Sequence, residues 1–128
     1  MDHKPRILVV DDEADTRTFF AALLEDHGYT VDTAEDGQIG LEKAAATSYD
    51  LITLDLSMPE VSGLKFYREM RGEGEPHTPI VVISGVARDM KTFISTRKQV
   101  PAPDGYLAKP VDQDEMLRLV ENLLSVPS

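Results

Sequence analysis

Apolar residues along this chain fall into two alternating patterns. Short β-branched runs stop abruptly at polar or turn-forming residues, and between them lie stretches with apolar positions at helical spacing. The first run, Arg6-Ile7-Leu8-Val9-Val10, ends at Asp11-Asp12-Glu13. Thr16 to His27 then carries Phe20, Leu23 and Leu24 at helical spacing, and Gly28 suits the cap that follows. Thr30-Val31-Asp32-Thr33-Ala34 alternates as a strand, with a turn at Glu35-Asp36-Gly37. Ile39, Leu41, Ala44 and Ala45 predict a short second helix.

Leu51-Ile52-Thr53-Leu54 reads as a strand buried on both faces, closed by Asp55 and followed by Leu56-Ser57-Met58-Pro59-Glu60-Val61-Ser62-Gly63. Gly63 to Arg71, with Leu64, Phe66, Tyr67 and Met70, predicts a third helix, and Gly72-Glu73-Gly74-Glu75-Pro76 a loop. Ile80-Val81-Val82-Ile83 is a further buried strand, terminated by Ser84-Gly85. Arg88 to Gln99 predicts a fourth helix through Met90, Phe93 and Ile94, stopped before Pro101 and Pro103. Gly105-Tyr106-Leu107-Ala108 is a short fifth strand ending at Lys109-Pro110. Asp112 and Glu115 resemble a capping box for a fifth helix with Met116, Leu117, Val120, Leu123 and Leu124 on its apolar face. Five strands alternating with five helices predict an α/β domain, a parallel sheet covered on both faces.

Composition narrows this picture. At 128 residues the chain is long enough for one domain with a real core, expected over 1–128 with an ordered core of about 5–124. Its 41% hydrophobic and 28% charged residues are those of a globular chain, and no apolar run reaches membrane-spanning length. The first six residues run straight into a strand without a secretory signal, so a cytoplasmic location is expected. The absence of Cys excludes disulfides, thiolate metal sites and Cys nucleophiles. A net charge of −10 opposes direct nucleic-acid binding, and most single acids simply form a solvated surface.

Candidate chemistry lies at the strand ends. In a parallel sheet these ends share one edge, where open α/β sheets hold their ligands. The first strand delivers Asp11 and Asp12, the third Asp55, the fourth Ser84 and the fifth Lys109. Singly, each has an ordinary structural explanation: Asp12 as a helix cap, Asp55 as a cap or turn residue, Ser84 in a local turn, Lys109 in any ion pair. Together they suggest chemistry. Three carboxylates repel unless a cation lies among them, and an all-oxygen ligand set suits Mg²⁺. A metal, a hydroxyl donor and an ammonium around one carboxylate would stabilise phosphoryl transfer onto it, with that carboxylate as nucleophile.

With these residues in view, the chain resembles the receiver domain of two-component response regulators, in the manner of a chemotaxis-regulator-like single receiver. The resemblance rests on Asp11-Asp12, Asp55 with Met58-Pro59 and Gly63, Ser84, and Lys109-Pro110, and it covers essentially the whole chain. It implies a flavodoxin-like, doubly wound five-stranded sheet of order 2-1-3-4-5. It implies phosphotransfer from a sensor histidine kinase or phosphotransfer protein to Asp55, followed by slow autodephosphorylation, and no other enzymatic activity. Asp11, Asp12, Asp55 and the Ser57 backbone carbonyl would bind Mg²⁺. Ser84 would be the switch hydroxyl, Lys109 the phosphoryl partner and Tyr106 the switch aromatic. The Lys109-Pro110 bond would be cis, with Pro59 and Gly63 structural. Output would leave through the helix 4–strand 5–helix 5 face to a protein target, from a monomer or a phosphorylation-dependent dimer.

One region departs from that pattern. Val100-Pro101-Ala102-Pro103-Asp104 replaces a small Gly-containing turn, and its prolines remove two backbone donors. Arg88, Lys91, Arg97 and Lys98 give the fourth helix a basic stretch, either a solvated face or a dock for an acidic partner. Ser57 and Val86 occupy positions that tune hydrolysis in the family.

Competing readings meet the same residues. A haloacid dehalogenase-like phosphatase would want Asp-x-Asp, where this chain has Ser57, and room for a substrate cap. A flavin-binding relative would need phosphate donors where Asp11-Asp12-Glu13 stands. Two alternatives remain. One is a receiver-like interaction module that is never phosphorylated, against which the intact acidic set argues. The other is a receiver excised from a larger regulator, which stays open because Leu123 to Ser128 reads equally as a natural end or the start of a linker.

Overall fold

The structure is a computed structural model that describes residues 4–56, 60–72, 78–85 and 103–125. Strands β1 (Arg6–Val10), β2 (Thr30–Ala34), β3 (Leu51–Asp55), β4 (Ile80–Ser84) and β5 (Gly105–Ala108) form one sheet in the order β2-β1-β3-β4-β5. All four pairings are parallel. Helices α1 (Ala14–Asp26), α2 (Gly37–Ala46) and α3 (Glu60–Gly72) and a C-terminal helix (Gln113–Ser125) complete the described elements. The helix expected over Arg88 to Gln99 lies outside the described residues, as do Ser57, Met58, Pro59 and Val86.

Strand periodicity builds two cores. In β1, Ile7 and Val9 pack with Phe20 and Leu24 of α1 and Met116 and Val120 of the C-terminal helix. Leu8 and Val10 point the other way, into a cluster with Phe66 and Tyr67 of α3. The same split runs through β4, where Val81 and Ile83 join the first cluster and Ile80 and Val82 the second. A side-chain period of two thus buries β1, β3 and β4 on both faces, which is why they read as continuous apolar runs. Strand β2 lies at the edge and only Ala34 in it is buried.

Helix ends follow local chemistry. After α1, Gly28 adopts φ +94°, its N–H donating to the Glu25 carbonyl and the Tyr29 N–H to the Leu24 carbonyl. That is a Schellman motif, and it places Gly where other residues pay a steric penalty. Asp36, expected in a turn, is the N-cap of α2 and accepts from the Ile39 N–H at 2.8 Å. Asp112 does the same for the C-terminal helix, accepting from the Glu115 N–H at 3.1 Å. Helices α1 and α3 begin at Ala14 and Glu60, earlier than Thr16 and Gly63, because apolar spacing does not register their polar first turns. Gly63 is buried within the first turns of α3.

Two acids stitch the opposite edge of the sheet in the same way. Asp50 donates its N–H to the Arg6 carbonyl at 2.7 Å and accepts the Arg6 N–H on Oδ2 at 2.8 Å. Asp104 donates to the Ile80 carbonyl at 2.9 Å and accepts the Ile80 N–H at 2.9 Å. Each carboxylate satisfies the first N–H of a neighbouring strand, where the ladder has no further rung. Asp104 thereby fixes the approach to β5, with Pro103 buried beside it, while Val100, Pro101 and Ala102 lie outside the described residues.

Candidate metal and phosphoryl site

The sheet topology collects the sequence candidates at one edge. Asp11 follows β1, and its N–H donates to the Ala34 carbonyl at 3.1 Å, extending the β1–β2 ladder one rung past the strand. Its own carbonyl accepts from Arg17 Nη1 at 2.8 Å, and its Oδ1 accepts from the Glu13 N–H at 2.9 Å. The other carboxylate oxygen, Oδ2, is buried and has no hydrogen-bond partner. Such an orphaned acceptor is costly unless something else meets it.

Asp55 is the last residue of β3, in register with Ile83 and 1% exposed. The next N–H, of Leu56, still bonds to the Ile83 carbonyl at 2.8 Å, so the main chain on both sides of Asp55 is held by β4. Lys109 Nζ lies 3.0 Å from Asp55 Oδ2. Lys109 reaches that point because its N–H donates to the Ser84 carbonyl at 2.9 Å, continuing the β4–β5 ladder. Ser84 ends β4, is buried, and pairs with Ala108. The Lys109–Pro110 peptide bond is cis.

Carboxylate oxygens of Asp11, Asp12 and Asp55 lie within 4.8 Å of one another, with Asp11 and Asp55 buried and Asp12 exposed. The cap explanation of Asp12 does not hold, because Glu13 is the N-cap of α1 and its side chain makes no capping bond. Electrostatics reflects this crowding. Burial, opposed by the Glu13 N–H and reinforced by the neighbouring Asp55 charge, pushes the Asp11 carboxyl up to about 6. Burial works to lower the Lys109 pKa, but its bond to Asp55 and the charges of Asp55, Asp11 and Glu13 outweigh this and raise it. A buried, unpartnered carboxylate oxygen among three oxygen donors fits a hard divalent cation, and the exposed Asp12 side leaves room for the waters Mg²⁺ retains.

Tyr106 is 39% exposed on β5. Sequence reasoning passed over Glu13 and Arg17, which hold Asp11 through main-chain atoms. The available signal was the spacing: a cation six residues past Asp11, near a helix N-terminus, where the macrodipole disfavours it.

Comparison with known proteins agrees with this geometry. The family model for the response regulator receiver domain matches residues 7–121. "Response regulator ArlR" of Staphylococcus saprophyticus is 36% identical over 119 residues, covering 93% of this chain and 52% of that protein. The chain thus spans about half the length of the curated relatives it matches. Among solved structures, Vibrio cholerae chemotaxis protein CheY4 superposes with a TM-score of 0.81 at 31% identity, covering 95% of this chain and all of that one. Response regulator TrrA of Thermotoga maritima, solved in complex with Mg²⁺-BeF, gives 0.80 at 35% identity, covering 94% and 99%. Among the described residues no helix is long and apolar enough to cross a membrane. Its sheet order, its acidic pocket and these likenesses agree: the chain belongs to the response regulator receiver domain family of two-component signalling proteins.

Proposed function

We propose that residues 1–128 act as one cytoplasmic receiver domain that accepts a phosphoryl group on Asp55. The donor is the phosphohistidine of a sensor kinase or phosphotransfer protein. The observation that carries this reading is Asp11 Oδ2, buried without a partner beside Asp12 and Asp55. Asp11, Asp12 and Asp55, with the Ser57 carbonyl, would hold Mg²⁺. When bound, the ion would offset charge on the phosphoryl oxygens as they approach the carboxylates.

An Asp55 carboxylate oxygen attacks phosphorus in line with the bond to the imidazole nitrogen. That bond breaks, its electron pair stays with the ring, and an acyl phosphate forms on Asp55. Lys109, already 3.0 Å from Asp55 Oδ2, follows the added charge and pairs with a phosphoryl oxygen. The Ser84 hydroxyl moves to donate to the same group, and Tyr106 turns inward from its exposed position. Water later attacks phosphorus and regenerates the carboxylate; beyond this self-directed chemistry the domain is a signalling module rather than an enzyme.

Phosphorylation biases an existing equilibrium of the face built from β5, the C-terminal helix and the segment Arg88 to Gln99, which the sequence predicts as a helix. A protein target reads that face, on a monomer or a phosphorylation-dependent dimer. Borohydride reduction of the phosphorylated protein, followed by peptide mapping, tests the acceptor. It should convert Asp55 alone to homoserine; conversion of another acid would overturn the assignment.

A further inference from the structure

Arg17 presents an arrangement that charge alone does not explain. Asp11 belongs to the cluster of three carboxylates, yet the Arg17 guanidinium bonds to its main-chain carbonyl, at 2.8 Å, rather than to its carboxylate. An arginine beside acids ordinarily pairs with a carboxylate, often in a two-point fork. Here the donor goes to the backbone. Asp11 is then held at three points: its N–H on Ala34, its carbonyl on Arg17, and its Oδ1 on the Glu13 N–H. The one polar atom left over is Oδ2, which is buried and unpartnered.

We propose that Arg17 is a positioning residue for the divalent cation: it clamps the Asp11 carbonyl so that Asp11 Oδ2 stays aimed into the acidic pocket and unspent. The inference rests on the metal reading given above. The clamp spans the junction between β1 and α1, since Arg17 lies on the helix and Asp11 just past the strand. Its own main chain is anchored there too, with the Arg17 N–H donating to the Glu13 carbonyl at 3.0 Å. One side chain therefore fixes the direction in which the loop Asp11–Glu13 leaves the sheet. Partners that orient ligands in this way are commonly worth about 10- to 100-fold in metal affinity.

The charge effect and the positioning effect have opposite signs, which makes the test decisive. Arg17 is a cation near a cation site, so removing its charge alone would tighten Mg²⁺ binding. Loss of the clamp would weaken it. Calorimetric titration with Mg²⁺, repeated with Mn²⁺, should show Arg17→Met binding about tenfold more weakly than wild type. Arg17→Lys, which keeps the charge and one donor able to reach the carbonyl, should recover part of that loss. Circular dichroism in EDTA checks that each variant is folded, and Arg17→Met keeps the aliphatic stem for that purpose. Equal or tighter binding by Arg17→Met would overturn the positioning role while leaving the metal reading intact. A wild type that binds neither ion would overturn both.

Discussion

Lys109 Nζ and Asp55 Oδ2 lie 3.0 Å apart although 54 residues separate them in sequence. The pairing exists because β5 lies beside β4 and β4 beside β3, so the ladder delivers both side chains to one edge. Lys109 offsets one of the three negative charges in the pocket, and it occupies an Asp55 oxygen that a phosphoryl group would need.

Lys109→Ala should therefore separate metal binding from phosphoryl chemistry. Mg²⁺ affinity, measured calorimetrically, is expected to hold or tighten, because a competing cation has gone. The rate of phosphorylation by a small phosphodonor should fall by roughly 10², the usual cost of losing one preorganised partner of developing charge. The phosphorylation-dependent change in tyrosine fluorescence, assigned to Tyr106 by its absence in Tyr106→Phe, should largely disappear. An unchanged rate and an unchanged response would remove Lys109 from its assigned role.

Asp11 makes the metal-free protein sensitive to pH in a predictable direction. Its carboxyl is raised by burial, and by the charge of Asp55, from 3.8 to about 6. The folded state thus holds this proton more tightly than the unfolded state. The stability linked to that proton is fully present below pH 3.8 and is lost as pH rises through about 6. In EDTA, Asp11→Asn should melt at a higher temperature than wild type at pH 8, with the gap closing towards pH 4.5. Saturating Mg²⁺ should reverse the order at pH 8, because wild type gains binding energy that the variant largely lacks. A variant less stable than wild type in EDTA at pH 8 would contradict the electrostatic account.

The paired clamps at the far edge give a purely structural prediction. Asp104 is partly buried and Asp50 exposed, so water can replace the Asp50 bond more readily. Urea unfolding should find Asp104→Ala destabilised by about 1–2 kcal/mol and Asp50→Ala by about half as much. The two sites grip different strand pairs, so the double variant should be additive to within roughly 0.5 kcal/mol. Phosphorylation should be unaffected. Equal losses at both positions would contradict the exposure argument.

Strand positions and the pocket were the legible parts of this sequence. β1, β2 and β5 occupy the predicted residues, because β-branched runs bounded by turn residues leave little freedom over where a strand stops. Asp11, Asp12, Asp55 and Lys109 were readable because parallel topology turns distant strand ends into neighbours. Asp36, Asp50 and Asp104 were read as loop or turn residues, or passed over, because an acid that caps or clamps has no periodic signature. Arg17 was hidden for a related reason: it acts on a backbone carbonyl, and a carbonyl is the same in every residue. Of the expected departure Val100-Pro101-Ala102-Pro103-Asp104, the first three residues lie outside the described residues, and Asp104 grips the start of β4.

The most direct measurement is the intact mass of the protein after incubation with acetyl phosphate. Wild type with Mg²⁺ should gain one phosphate, and EDTA should prevent the gain. Asp55→Asn should gain none under either condition. A phosphate on Asp55→Asn, or an equal gain in EDTA, would contradict a metal-dependent phosphoacceptor at Asp55.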